Sequence, residues 1–244
     1  MRLRLVLSVL VAVPVLAGCS GADALEAQQL LQQAQQAQQN LKSETFTAKL
    51  TIDAQVQSFA VKLTGGGYSK GAHAGDMFVD MSLNGSTPLP LPATSFRIVK
   101  RGTTMSMRFG DQRLTLPATQ ALGASGAAKA NPLAGFDIAR YVKDVKVEGG
   151  QTLNGKLVTK ISGVLDTASL VQDVAKLGSL AQGKVPSLDG QIGDTRVVAY
   201  IDDTTHLVVA ALADVTAHGD GMNARVHLDY GLTSVNKRVA IPAA

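Results

Sequence analysis

The sequence predicts an α+β chain that is mainly β, with roughly ten or eleven antiparallel strands and two or three helices to one side. Three observations predict it. A helix-forming segment near the N-terminus gives way at Thr45 to apolar residues at every second position. That period-two pattern recurs in short runs divided by tight polar connections. Runs near the C-terminus, RVVAYI and LVVAALA, are apolar on both faces, as in strands covered from two sides.

The elements follow in order. Met1 to Arg4 carry two positive charges, and Leu5 to Ala17 form an apolar run of 13 residues broken only by Ser8 and Pro14. This is the pattern of a secretory signal peptide over residues 1–18, too short for the roughly 20 residues of a stable membrane span. Leu16-Ala17-Gly18-Cys19 also has the form of a bacterial lipobox, in which the cysteine becomes the acylated N-terminus. An ordinary signal peptide with a chance cysteine is the plainer alternative. On the lipobox reading Cys19, the only cysteine, is a lipid anchor, and two or three acyl chains hold a membrane far more firmly than one. Residues 19–23 then form a tether and residues 24–244 a single domain, an exported body at the outer face of the cytoplasmic membrane.

Asp23 is an acceptable N-cap for a helix over Ala24 to Leu41, rich in Ala, Leu, Glu and Gln. Leu30, Ala34, Ala37 and Leu41 share one face, and the eight glutamines from Gln28 to Gln39 form its solvated flank. Phe46, Ala48, Leu50 and Ile52 alternate along the first strand. Phe59, Val61 and Leu63 continue in a second, followed by TGGGYSKG as a turn. DMFVDMSL, SFRIVKR, TTMSMRFG and DQRLTL extend the meander. Residues 117–135 read as a long loop, and Phe136 to Val142 as a short helix. DVKVEG and GKLVTKISGVL form a hairpin turning at Gly149-Gly150 or Asn154-Gly155, the latter a strong type I′ dipeptide. Asp166-Thr167 caps a helix, TASLVQDVAKLGSLA. TRVVAYID, HLVVAALADVTA and MNARVHLDYGL are the last strands, with Asp202 to Thr205 turning the first into the second.

Strands apolar on both faces leave two arrangements open. One is a curved sheet with helices over its concave side and an apolar cavity between, suited by its Met, Val, Ala and Leu residues to acyl chains. The other is an ordinary two-layer core.

Composition argues against several classes. Removal of residues 1–18 takes Arg2 and Arg4 with it and lowers the formal charge from +4 to +2. With aromatics at 4% and Lys and Arg scattered singly, no platform for nucleic acid is formed. His73, His206, His218 and His227 show no metal-ligand spacing. GASG at 123–126 fails the nucleophile-elbow pattern, and GGGYSKG fails the phosphate-loop pattern. Asp202-Asp203 and Asp214 to Asp220 read as turn residues rather than a calcium site. No catalytic residue, metal or cofactor is therefore predicted.

The stretch NPLAGFDIARYVKDVKVEGGQTLNGKLVTKISGVLDTASL, then RVVAYIDDTTHLVVAALADV and the ending VHLDYGLTSVNKRVAIP, resembles the LppX/LprG-type lipoproteins of mycobacteria and other actinobacteria. With the lipobox and N-terminal helix, the likeness spans nearly the whole chain. Tyr200 departs from it, standing where the family often has tryptophan. The resemblance implies a half-barrel of antiparallel strands, with helices on its concave side closing a hydrophobic cavity, similar in plan to the LolA and LolB carriers. It also implies carriage of diacyl or triacyl lipids, glycolipids or lipoglycans from the cytoplasmic membrane toward the cell envelope, with a membrane lipid exporter as a fitting partner.

The expected lining comes from the apolar strand positions Phe46, Leu50, Phe59, Val61, Met77, Val79, Met105, Met107, Val197, Ala199, Val209 and Ala211. Headgroups would stay at the mouth, where Lys or Arg meets phosphate. Alternation alone does not say which face is concave. A monomer is expected, and the rival reading is a non-enzymatic scaffold or sensor that binds another envelope protein.

Overall fold

In a computed structural model of the chain, residues 20–54, 58–85, 94–117, 141–167, 169, 192–219 and 222–243 are described. Among the described residues the full-length elements are a helix, α1 (Ser20–Gln39), and the eleven strands that follow it. The first six are β1 (Ser43–Ala54), β2 (Ser58–Tyr68), β3 (Met77–Gly85), β4 (Ser95–Arg101), β5 (Thr104–Phe109) and β6 (Gln112–Pro117). The other five are β7 (Val142–Leu153), β8 (Lys156–Leu165), β9 (Ile192–Asp202), β10 (Val208–Gly219) and β11 (Met222–Val235). They form one open, curled antiparallel sheet in the order β6-β5-β4-β3-β2-β1-β11-β10-β9-β8-β7. The chain thus starts at the centre, meanders out to β6, resumes at the opposite edge and returns to close the middle by pairing β11 with β1.

The helix forms because its residues are strong helix formers with no proline or glycine after Gly21. It buries Ala27, Leu31 and Ala34, spaced four and three apart, against Val145, Ile161, Ala199 and Ile201. This stripe corrects the expected one. Of Leu30, Ala34, Ala37 and Leu41, only Ala34 and Leu41 are buried, while Leu30 packs at the margin of the cluster. Two alanines on the buried stripe let the helix approach the sheet closely, and Leu31 supplies the bulk, worth about 2 kcal/mol on burial. The helix takes in Ser20 to Asp23, residues expected as tether. Six of the eight glutamines are exposed and Gln35 and Gln38 half-buried, as a solvated flank requires.

Two glycine segments expected as turns lie inside strands. Gly65, Gly66 and Gly67 are buried in β2, and the turn follows at residues 69–76. A Cβ on Gly65 would lie 2.5 Å from Cζ of Phe46, and one on Gly66 2.7 Å from the carbonyl oxygen of Glu44, so a neighbouring ring and backbone fill the space side chains would need. Gly149 and Gly150 lie within β7, where the register with β8 shifts at Gly149. The hairpin turns instead at Asn154 and Gly155, with φ of +50° and +78°. Val142, expected to end a helix, opens β7. Asp166 does cap a helical turn, its carboxylate accepting from the Ser169 amide at 3.1 Å. Residues 1–18, Cys19, the expected loop and short helix between residues 118 and 140, and the helix expected beyond Ser169 lie outside the described residues.

A second core cluster sits at the centre of the sheet, where Phe46, Ala48 and Tyr230 are buried and the rings of Phe46 and Tyr230 stack with centroids 6.1 Å apart. At one end of the sheet lie the start of β1, the turns at residues 69–76, 102–103, 154–155 and 203–207, and the C-terminal tail. Asp202 organises the last of these turns. Its side chain is 6% exposed and accepts the amides of Thr204 (3.1 Å) and Thr205 (2.8 Å), with Lys156 at 3.3 Å.

Candidate functional site

In a strand, alternate side chains point to opposite faces, so register decides which residues share a surface. One rung crosses ten strands: Phe109, Phe96, Met81, Leu63, Ala48, Tyr230, Ala211, Ala199, Ile161 and Val147 lie opposite one another in succession. It contains no charged side chain and, at about 4.8 Å per strand, extends about 43 Å. A second rung on the same face runs Leu114, Met107, Ile98, Val79, Gly65, Phe46 and Leu232. A third contains Leu83, Val61, Leu50, Leu228, Ala213 and Val197.

The opposite face carries most of the sheet's charged side chains, interspersed with apolar ones such as Phe78, Val99, Val198 and Leu212. Arg108, Arg97, Asp80, Thr64 and Thr47 share one of its rungs, and Lys62, Lys49 and Asp229 another. Several of its charges are tied into pairs. Arg97 donates through its Nη2 to Asp80 at 2.9 Å, which raises the pKa of the guanidinium further. Glu148 accepts from Lys160, Ser162 and Arg196, and these bonds, led by that from Lys160, hold its carboxyl at about 2. Asp214 is held below the ordinary carboxylate range by its bond to His227 at 3.0 Å and by the nearby Arg225. These groups lie across the sheet from the apolar face and neutralise one another.

Eleven of the twelve expected lining residues share the apolar face. Phe46, Val79, Met107, Leu50, Val61, Val197, Ala199 and Ala211 stand on the three rungs above. Phe59 lies opposite Ile52, and Met77 and Met105 flank Lys100 at the turn end. Val209 is the exception: it is the extra residue of a bulge between Val208 and Ala210, and no register partner fixes its face. Sequence reasoning missed Leu63, Met81, Phe96, Ile98, Leu228 and Tyr230, all of which carry the same alternation. It also missed Lys100, which is buried on this face and donates from Nζ to the Gly75 carbonyl at 2.9 Å.

Among the described residues, cover over the face is uneven. The helix packs on Val145, Ile161, Ala199 and Ile201, with Val208 at the margin, and so lies over β7, β8 and β9. Across β1 to β5, Leu50, Val61, Leu63, Val79, Met81, Ile98 and Met107 are half-buried. Leu114 on β6 is 48% exposed.

The histidines are dispersed. His73 lies 3.3 Å from Asp76 in the turn after β2, His206 precedes β10, His218 lies in β10, and His227 pairs with Asp214 on the polar face. Among the described residues, no group of three or more His, Cys, Asp and Glu is placed to hold a metal.

The crystal structure of LprF from Mycobacterium bovis superposes with a TM-score of 0.57 at 18% identity, over 90% of this chain and 97% of that one. The chain has the fold of LprF. The lipoprotein LppX from Mycobacterium tuberculosis matches with a TM-score of 0.48 at 14% identity, over 89% of this chain and 99% of that one. A LolA superfamily protein from Nitrosomonas europaea matches with a TM-score of 0.24 at 10% identity, over 85% and 94%. No family model and no curated protein matches the chain. At the level of fold, the LprF likeness agrees with the resemblance drawn from the sequence.

Proposed function

We propose that the chain is an exported lipoprotein, anchored through Cys19 at the outer face of the cytoplasmic membrane, that binds lipids or glycolipids against its apolar sheet face and carries them toward the cell envelope. The observation that carries this reading is the uncharged ten-strand rung from Phe109 to Val147, of which the helix covers only the part on β7 to β9. An apolar surface of that breadth is an interaction surface rather than a water-facing one. In this reading the sheet curls toward the helix and makes a cavity of the face, where acyl chains gain about 0.8 kcal/mol per buried methylene. Methionines at positions 77, 81, 105 and 107 adapt to chains of different length, so selection among acyl chains is loose.

The reading is of a single domain over residues 24–244, monomeric and without catalysis, delivered by a signal segment at residues 1–18. Among the described residues no helix is long and apolar enough to cross a membrane.

Val79→Trp and Met107→Asp test it, one by filling the space over the centre of the face and the other by placing a charge there. With folding verified by circular dichroism, each variant should co-purify with about a tenth or less of the lipid bound by the parent, since burying an unpaired charge costs several kcal/mol. Unchanged lipid content in folded variants overturns the assignment of this face.

A further inference from the structure

At the turn end of the sheet, three separate segments enclose an open cleft of about 480 Å³. Lys42 and Ser43 come from the link between α1 and β1, Tyr68, Lys70 and His73 from the end of β2 and its turn, and Asn236, Lys237 and Arg238 from the tail after β11. Among the described residues four cations and a histidine line it, and no carboxylate does. Ser43 and Tyr68 pair one rung beyond Glu44 and Gly67, the rung that carries Met77, so they project from the polar face. The cleft is therefore a different place from the apolar surface.

Hydrogen bonds fix its frame. The Lys42 amide donates to Asn236 Oδ1 at 2.8 Å, the Asn236 amide to the Ser43 carbonyl at 2.8 Å, and Ser43 Oγ to the Lys237 carbonyl at 2.6 Å. Tyr68 joins the tail twice, donating its hydroxyl to the Val239 carbonyl at 3.0 Å and accepting the Val239 amide at 2.8 Å. On the turn side, the amides of Ser69 and Lys70 both donate to the Lys42 carbonyl. The tail thus holds Lys237 and Arg238 beside Lys42 and Lys70, like charges gathered on a pinned backbone.

Charge inside the cleft is left uncompensated. Asp76, the acid nearest in the turn, faces His73 at 3.3 Å and accepts the Gly102 amide at 2.7 Å, while Lys70 donates to Asn40 at 3.1 Å. Among the described residues Lys42, Lys237 and Arg238 make no ion pair. By contrast, several cations elsewhere face a carboxylate, as Arg97 does Asp80 and Lys160 does Glu148. A like-charged concavity focuses its field and draws counter-ions, and guanidinium beside ammonium suits phosphate oxygens.

We infer that this cleft is a second binding site, for a phosphate-bearing anion. The inference does not depend on what the apolar face holds. A lipid headgroup at a membrane surface and a soluble phosphate ester share the chemistry.

The test uses the purified full chain with two probes. Glycerol 3-phosphate is titrated by calorimetry at low salt, and co-sedimentation is measured with vesicles of phosphatidylcholine, with and without one quarter phosphatidylglycerol. The excess on the phosphatidylglycerol vesicles removes any contribution of an acyl anchor. The double variant Lys237→Gln, Arg238→Gln alters exposed tail side chains, and Lys49→Gln, Lys62→Gln removes the same charge from exposed positions on the polar face.

Affinity for at least one probe should fall about tenfold in the first variant and less than about twofold in the second, the first loss matching two charge-assisted contacts. Binding of glycerol 3-phosphate supports a site for a soluble ester. Binding of the anionic vesicles alone supports a surface that meets lipid headgroups. Absence of binding to both probes, or equal losses in the two double variants, overturns the inference.

Discussion

Gly65 lies directly under the ring of Phe46: a Cβ there would stand 2.5 Å from Cζ and 2.8 Å from Cε1. The two residues are also register partners on β2 and β1, so the ring covers the place where a side chain is missing. Gly65→Ala is expected to destabilise the protein by about 1–3 kcal/mol in urea unfolding, the usual cost of overpacking. In a Phe46→Leu background the penalty of the second substitution should shrink, because the clash is with the ring. Equal penalties in the two backgrounds would place the cost in the backbone instead.

Gly155 makes the opposite demand. No heavy atom lies within 4 Å of a Cβ built there, but φ is +78°. Gly155→Ala should therefore cost about 1 kcal/mol through backbone strain alone. Asn154→Gly, at a φ of +50°, should be nearly neutral. Urea unfolding of the two variants separates the positions.

Asp202 holds the turn between β9 and β10 by accepting two amides on one carboxylate oxygen. Burial opposes its ionisation, yet the Thr205 amide and hydroxyl, Lys156 and the Thr204 amide together keep its pKa below the ordinary value. Asp202→Ala is expected to cost about 1–3 kcal/mol because the Thr204 and Thr205 amides lose their acceptor. Asp202→Asn keeps a carbonyl oxygen and should cost less. Matching losses in chemical denaturation would contradict a hydrogen-bonding role.

Glu148 links three strands on the polar face through Lys160, Ser162 and Arg196. Its pKa falls from 4.5 to about 2 on folding, so the unfolded chain takes up the proton first as pH drops. The stability it supplies is complete above about pH 4.5 and is lost as pH falls toward 2. With Glu148 26% exposed and Arg196 68% exposed, solvent screening reduces that contribution to about 1 kcal/mol. Glu148→Gln should lower stability at pH 6 by that amount, and the difference should shrink as pH falls through about 2. A difference of undiminished size at pH 2 would assign the loss to packing.

Much of the sheet was legible because its one-sided burial imposes a period of two. Leu50 and Val61, each chosen from alternation within its own strand, prove to be register partners. What stayed hidden depends on contacts distant in sequence. TGGGYSKG has the composition of a turn, and only the ring of Phe46, nineteen positions before Gly65, explains why the first of its glycines lies within a strand. The helix stripe was misread because Leu30, Ala34, Ala37 and Leu41 satisfy helical spacing as well as Ala27, Leu31 and Ala34 do. The sheet across β7 to β9 decides between them. The face of Val209 is not fixed by alternation for a related reason, since a bulge between Val208 and Ala210 resets the register there. The basic cleft left no linear signature, because its cations come from positions 42, 70, 237 and 238.

Native mass spectrometry of the chain beginning at Ser20, which lacks the anchor, tests the central claim most directly when combined with organic extraction. The predicted result is a bound species of lipid mass that extraction removes and added phospholipid or glycolipid restores. A folded protein that carries no lipid and takes up neither class would contradict lipid binding on the apolar face and favour an envelope scaffold that binds protein.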